Sequence, residues 1–129
     1  MAVKMPLSCR CRFGPARLNP CHQAAEELKV KGIEASVVDM HTIKPLDTNL
    51  IDKLVQECGA LVTAEDHSII GGLGGAVAEH ISTIESAPLE RVGVKDRFGE
   101  SGQADEMLEL MGISSPYIAQ AAIKSISRK

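Results

Sequence analysis

The sequence predicts an α/β fold: a three-layer α/β/α sandwich with a mostly parallel sheet. Three observations lead there. Short apolar stretches rich in β-branched residues alternate with segments of helical periodicity, which is the βαβ pattern. The helical segments carry starting and stopping residues at the expected places, Asp47 before one and Gly32 and Gly59 after two. At 129 residues with 44% hydrophobic content, the chain can bury one core.

The elements follow in order. Asn19 can cap a helix whose first turn accepts Pro20; Ala24, Ala25 and Leu28 then fall on one face, and Gly32 follows the end of a helix over Pro20–Lys31. "IEASVVDM" (33–40) reads as a strand that Pro45 keeps from extending far. Asp47 can cap a second helix carrying Leu50, Ile51, Leu54, Val55 and Cys58 on one face, and Gly59 ends it. "ALVTAED" is a second strand. Leu73–Glu85 is a helix with Leu73, Val77, Ile81 and Ile84 inward, and "LERVGVK" is a third strand. A turn-rich "DRFGESG" leads to a short helix near Gln103–Met111 and a last helix begun by Ser115 and Pro116. Crossovers of this length make neighbouring strands parallel and cover the sheet on both faces.

The beginning of the chain differs from the rest. Met1–Pro20 holds Lys4, Arg10, Arg12 and Arg17 with no acid, whereas from Cys21 onward 10 basic residues face 17 acidic ones, a balance of −7 beneath the overall −3. Three of the 6 prolines stand there, Pro6, Pro15 and Pro20, which argues against a long central strand. The expectation is a basic, poorly ordered leader over 1–19 and one domain over 20–129, with an N-terminal strand missing or altered. Cys9, Cys11, Cys21 and Cys58 form no CxxC pair and read as reduced thiols.

Composition excludes several functions. With 2 Phe, 1 Tyr and no Trp there is little to stack on bases, so no nucleic-acid partner is expected. No apolar run approaches the roughly 20 residues of a membrane span, and the start lacks the order of a signal peptide. No membrane partner and a cytoplasmic location are the expectations.

Ligands of open parallel sheets gather at the carboxyl ends of strands. Three clusters fall on that edge: His41 to Lys44, Glu65 to His67 with the glycines of "GGLGG", and Asp96 to Arg97. The glycines could offer backbone N–H groups and a helix dipole to an anion. Gly72 and Gly74 supply two glycines of a GxGxxG fingerprint, but Val77 stands at the third and no Lys-Ser or Lys-Thr follows. A tight turn with close helix packing is the plainer reading. Asp66 and His67 beside Glu65 could form an acid/base pair or, with His41, a metal cluster, yet three successive strand residues do not share one direction. Cys58 lies on an apolar helix face as an inert thiol. Lys44 and Arg97 suit a phosphate or carboxylate as well as ordinary surface pairing. These residues form no complete catalytic constellation. The candidate anion or interface site comprises His41, Lys44, Asp66, His67, Gly71, Gly72, Gly74 and Arg97, with no catalytic, cofactor-binding or metal residues assigned.

"VVDMHTIKPLD", "ALVTAEDHSIIGGLGGAVAE" and "VGVKDRFGESG", in this order, resemble the C-terminal domain of the transketolase family, and most of all the C-terminal half of split transketolases. The resemblance covers about Ala24 to Ile126. Segments similar to TIKPLD also occur in 2-oxo acid dehydrogenase E1 β subunits, and KPLD in 1-deoxyxylulose-5-phosphate synthase, while "DRFGESG" favours transketolase. The resemblance implies an assembly or dimerisation domain of an enzyme that moves a two-carbon ketol unit between sugar phosphates. The chain alone is then inactive. Thiamine diphosphate and magnesium belong to the complete enzyme, between a pyrophosphate-binding domain with a GDG motif and a pyrimidine-binding domain. Neither is represented in this sequence, so those domains or subunits are the implied partners, with a homo-oligomer expected. The alternative of another class is an independent small-ligand or nucleotide-binding domain. Similar domains open with a strand of the type VTIIATG, where this chain has "MPLSCRCRFGPARLN"; a shifted reading frame or altered start would account for the difference.

Overall fold

The computed structural model describes residues 3–10, 19–84 and 87–129, with the backbone alone for 3–10. Its elements are β1 (Val3–Arg10), α1 (Asn19–Val30), β2 (Ile33–Asp39), α2 (Thr48–Cys58), β3 (Leu61–Ser68), α3 (Leu73–Ile81), β4 (Leu89–Val94), α4 (Ala104–Leu110) and α5 (Ser115–Ser127). The sheet runs in the order β2-β1-β3-β4, and each neighbouring pair is parallel.

The strand expected to be missing or altered is present with an atypical sequence, VKMPLSCR. Val3–Arg10 is β1 and lies inside the sheet, between β2 and β3. Pro6 is tolerated there because the strand is doubly paired only from Leu7 onward; Pro6 itself stands opposite Ser36 of β2, before the pairing with β3 begins at Leu7–Val62. A proline without an N–H is accommodated where one side of the strand makes no ladder. The rest of the expected leader, residues 1, 2 and 11–18, lies outside the described residues.

Alternation along β3 builds two cores. Val62 and Ala64 face Cys21, Ala24 and Leu28 of α1 and Ile118, Ala119 and Ala122 of α5. Leu61 faces the other way, with Met40, with Ile51, Leu54 and Val55 of α2, and with Leu73, Val77 and Ile81 of α3. This places α1 and α5 on one face and α2 and α3 on the other, the three-layer sandwich. Because α1 and α2 cover opposite faces, the chain changes direction at β1, and the switch point falls between the carboxyl ends of β1 and β3.

Local signals act as their chemistry requires. Asp47 accepts the Leu50 N–H at 3.0 Å at the start of α2, and Gly59 closes it at φ 67°. Helix α3 is a turn shorter than its apolar pattern suggests: it ends at Ile81, where the hydroxyls of Ser82 and Thr83 donate to the carbonyls of Glu79 and His80. The expectation of four reduced thiols is corrected at Cys21, which is disulfide-bonded. Disulfide formation depends on proximity in space, which the search for CxxC spacing does not register. Cys58 is a buried free thiol. No helix among the described residues is long and apolar enough to cross a membrane.

Candidate functional site

All four strands end on one edge, but the order β2-β1-β3-β4 divides the candidate residues. His41 and Lys44 follow β2, at one side of the sheet. His41 is exposed, with Nδ1 2.6 Å from the Thr42 hydroxyl, and it lines a depression of about 440 Å³ with Asp39, Met40, Pro45 and Leu50. Lys44 is exposed and precedes a cis peptide to Pro45. Asp66, His67, the glycines and Arg97 gather beyond β1, at the ends of β3 and β4. There Ser68, Val94, Asp96, Arg97 and Phe98 line a second depression of about 250 Å³. Neither depression contains residues from both groups.

Within the second group the side chains diverge. Pairing of β3 with β4 jumps from Ala64–Val92 to Ser68–Val94, so four steps on β3 match two on β4. Across this bulge Glu65 is buried, Asp66 is partly buried and His67 is exposed, with its Nδ1 3.0 Å from the Ser68 carbonyl oxygen. Arg97 turns back on its own loop, donating to the Glu100 carboxylate and to the Leu110 carbonyl at 3.4 Å.

Glu65, named in the edge cluster but left out of the candidate site, is the residue that closes this turn. Its side chain, 4% exposed, reaches from β3 to the start of α3, where Oε2 accepts the Leu73 N–H at 2.8 Å and Oε1 accepts the Gly74 N–H at 2.9 Å. A carboxylate here satisfies two of the orphan donors of the helix and meets the positive end of its dipole. The glycines make room for it. A Cβ at Gly72 would stand 2.0 Å from Glu65 Oε2, and one at Gly93, on β4, would stand 3.1 Å from Glu65 Cγ. Gly71, at φ 72°, supplies the left-handed bend that turns the chain into the helix. The sequence signal was available: an acidic residue at a strand end, followed within ten positions by a helix start with no side-chain cap of its own.

This settles what the turn can hold. Glu65 already uses the Leu73 and Gly74 N–H groups, and its negative charge would face any phosphate brought to them. The residues at this turn therefore do not fit a diphosphate cofactor.

Fold and turn together define a class: a parallel α/β domain whose glycine-rich strand-to-helix turn is closed by an internal carboxylate. Comparisons with known proteins identify the family. Residues 16–118 match the family model described as transketolase, C-terminal domain. A 6-deoxy-6-sulfo-D-fructose transketolase subunit, SqwH, of Clostridium sp. (strain MSTE9) is 45% identical over 106 residues, 82% of this chain and 33% of that protein. A putative transketolase C-terminal section of Methanocaldococcus jannaschii is 45% identical over 83% of this chain and 33% of its own length. The 1-deoxy-D-xylulose-5-phosphate synthase of Rippkaea orientalis is 43% identical over 83% of this chain but only 17% of its own length. Among solved structures, a split gene transketolase described as an inactive β4 tetramer superposes with a TM-score of 0.88 and 36% identity over 98% of this chain and 40% of that one. The chain belongs to the transketolase family, of which it carries the C-terminal domain. It spans about a third of the length of the two transketolase relatives.

Proposed function

We propose that this chain is the C-terminal assembly domain of a transketolase-like enzyme that transfers a two-carbon ketol unit between sugar phosphates, and that it is not catalytic by itself. The observation that carries this reading is the closed turn. The most suggestive ligand motif of the sequence is filled by the protein's own Glu65, and of the remaining candidates His41 lines one depression and Arg97 another. The reading gives the thiamine diphosphate and magnesium to partner domains or subunits that bind the pyrimidine and pyrophosphate portions. The similarity to both transketolase subunits and 1-deoxy-D-xylulose-5-phosphate synthase supports a thiamine-dependent parent.

The test is reconstitution. The purified chain, supplied with thiamine diphosphate, magnesium, a ketose phosphate and an aldose phosphate, is expected to give no ketol transfer. Addition of the partner carrying the thiamine site restores it. Turnover by the chain alone overturns the reading, and so does micromolar binding of a nucleotide measured by calorimetry, which would favour an independent nucleotide-binding domain.

A further inference from the structure

We infer that the face covered by α1, α4 and α5 docks a second copy of this chain, turned so that the strands of the two copies run in opposite directions. The inference rests on the reading of the chain as an assembly domain, and it names the surface and its occupant. Val30, the last residue of α1, is 90% exposed, and Tyr117 and Ile123 of α5 are 41% and 37% exposed. Leu110, the last residue of α4, is 46% exposed, although Leu108 and Met111 beside it pack on the same core as α1 and α5. No residue of α4 is buried, so this helix is attached by one side and open on the other.

Charge is sorted along this face, which is what selects the occupant. Its carboxyl-end edge is acidic: there Arg97, just past β4, donates to the Leu110 carbonyl, and from Phe98 to Ile123 stand Glu100, Asp105, Glu106 and Glu109 with no Lys, Arg or His. Asp105 and Glu106 are exposed and form no ion pair among the described residues, and the neighbouring Phe98 is 96% exposed. The amino-end edge is basic. Lys29 and Lys31 flank Val30 just before β2, exposed and likewise without an ion pair among the described residues. Helix α5 joins the two edges, since it follows α4 and ends where Ser125 Oγ meets the Leu61 and Pro88 carbonyls at the strand starts. A two-fold axis lying in the interface, across the strands, sets the acidic end of each copy on the basic end of the other, with Tyr117 and Ile123 between. Both pairings then close in one dimer, whereas copies docked with strands in the same direction would oppose like charges. An apolar middle with a charged rim is the usual anatomy of such a contact.

Charge reversal tests the arrangement by sedimentation of the full chain. Wild type is expected to form a reversible dimer that salt weakens. Lys29→Glu with Lys31→Glu makes both ends acidic, and Asp105→Lys with Glu106→Lys makes both ends basic. Each double variant, shown to be folded by circular dichroism, should dimerise about tenfold or more weakly than wild type. Mixed in equal amounts, the two variants restore a dimer containing one of each, because acid then meets base at both ends. A wild type that stays monomeric at about 100 μM overturns the inference. So does a mixture that gains nothing over its components, or one that grows into larger assemblies in place of a dimer. Should a variant fail to fold, wild type decides: a dimer that salt dissociates supports the arrangement, and one indifferent to salt refutes it. The assembly reading is judged separately, by adding the proposed partner subunit. Ketol transfer restored by a chain that never dimerises removes the inference alone, and variants that pair as expected without any restored transfer remove the assembly reading.

Discussion

Gly72 shows how little tolerance the turn has. Its φ of −98° is open to any residue, so the demand for glycine is one of space. A Cβ there would meet Glu65 Oε2 at 2.0 Å, Glu65 Cδ at 2.7 Å and the Ser68 carbonyl oxygen at 2.8 Å. Gly72→Ala is therefore expected to cost about 2–3 kcal/mol, the range of an overpacked interior, read from urea unfolding. In a Glu65→Ala background the cost shrinks, because two of the three contacts are gone, and does not vanish, because the Ser68 oxygen is backbone. Equal costs in the two backgrounds would show that the carboxylate is not what the glycine accommodates. The sequence displayed these glycines plainly and hid their reason. A phosphate loop and a carboxylate-capped turn both require N–H groups without side chains, and only the position of Glu65 in space separates them.

At the scale of elements, legibility followed the range of the determining contacts. Helix α2 was readable because its start and stop are local, the Asp47 cap and the left-handed Gly59. Strand β1 was not, because Pro6 is judged by its partners, and the absence of β3 opposite it is a long-range fact. The attachment of α5 is similarly non-local. Ser125 Oγ lies 3.0 Å from the carbonyl oxygens of both Leu61 and Pro88, and Lys124 and Arg128 both contact Glu90 on β4. Burial pushes the Glu90 pKa up, but the hydrogen bonds and charges of Lys124 and Arg128 outweigh it, leaving the carboxyl below its ordinary value. A lowered folded-state pKa contributes stability above the unfolded carboxylate value of about 4.3 and loses it as pH falls through the folded value. Glu90, 15% exposed, is held by partners that are about half exposed or more, so screening keeps the contribution to about 1 kcal/mol or less. Glu90→Gln is expected to unfold more easily than wild type at neutral pH, with the two stabilities converging below about pH 4. A constant difference between them across that range would assign the effect to packing.

Over the whole molecule, the three-layer class was legible from the βαβ rhythm, while the strand order was not, and the strand order decides the site. With β1 between β2 and β3, His41 and Lys44 are set apart from His67 and Arg97, so residues that share an edge do not share a pocket. What the β3–β4 side does present is apolar surface after adjacent strands: Ile70 is 63% exposed and Phe98, in "DRFGESG", is 96% exposed. Single exposed apolar residues are ordinary, but an aromatic so fully displayed, beside an arginine held to its own loop, is the kind of anchor that docking buries. If the domain serves assembly, this edge carries the contact with the partner or with a second copy. Phe98→Ser touches no core, so the isolated chain should keep its unfolding midpoint, with a change within about 0.5 kcal/mol. Its association, measured by sedimentation for the chain alone and by titration against the proposed partner subunit, should weaken about tenfold or more, the loss of a hot-spot side chain. Ile70→Ser added to it should weaken association further. Unchanged association in the double variant, with the chain still folded, would place the assembly surface elsewhere on the domain.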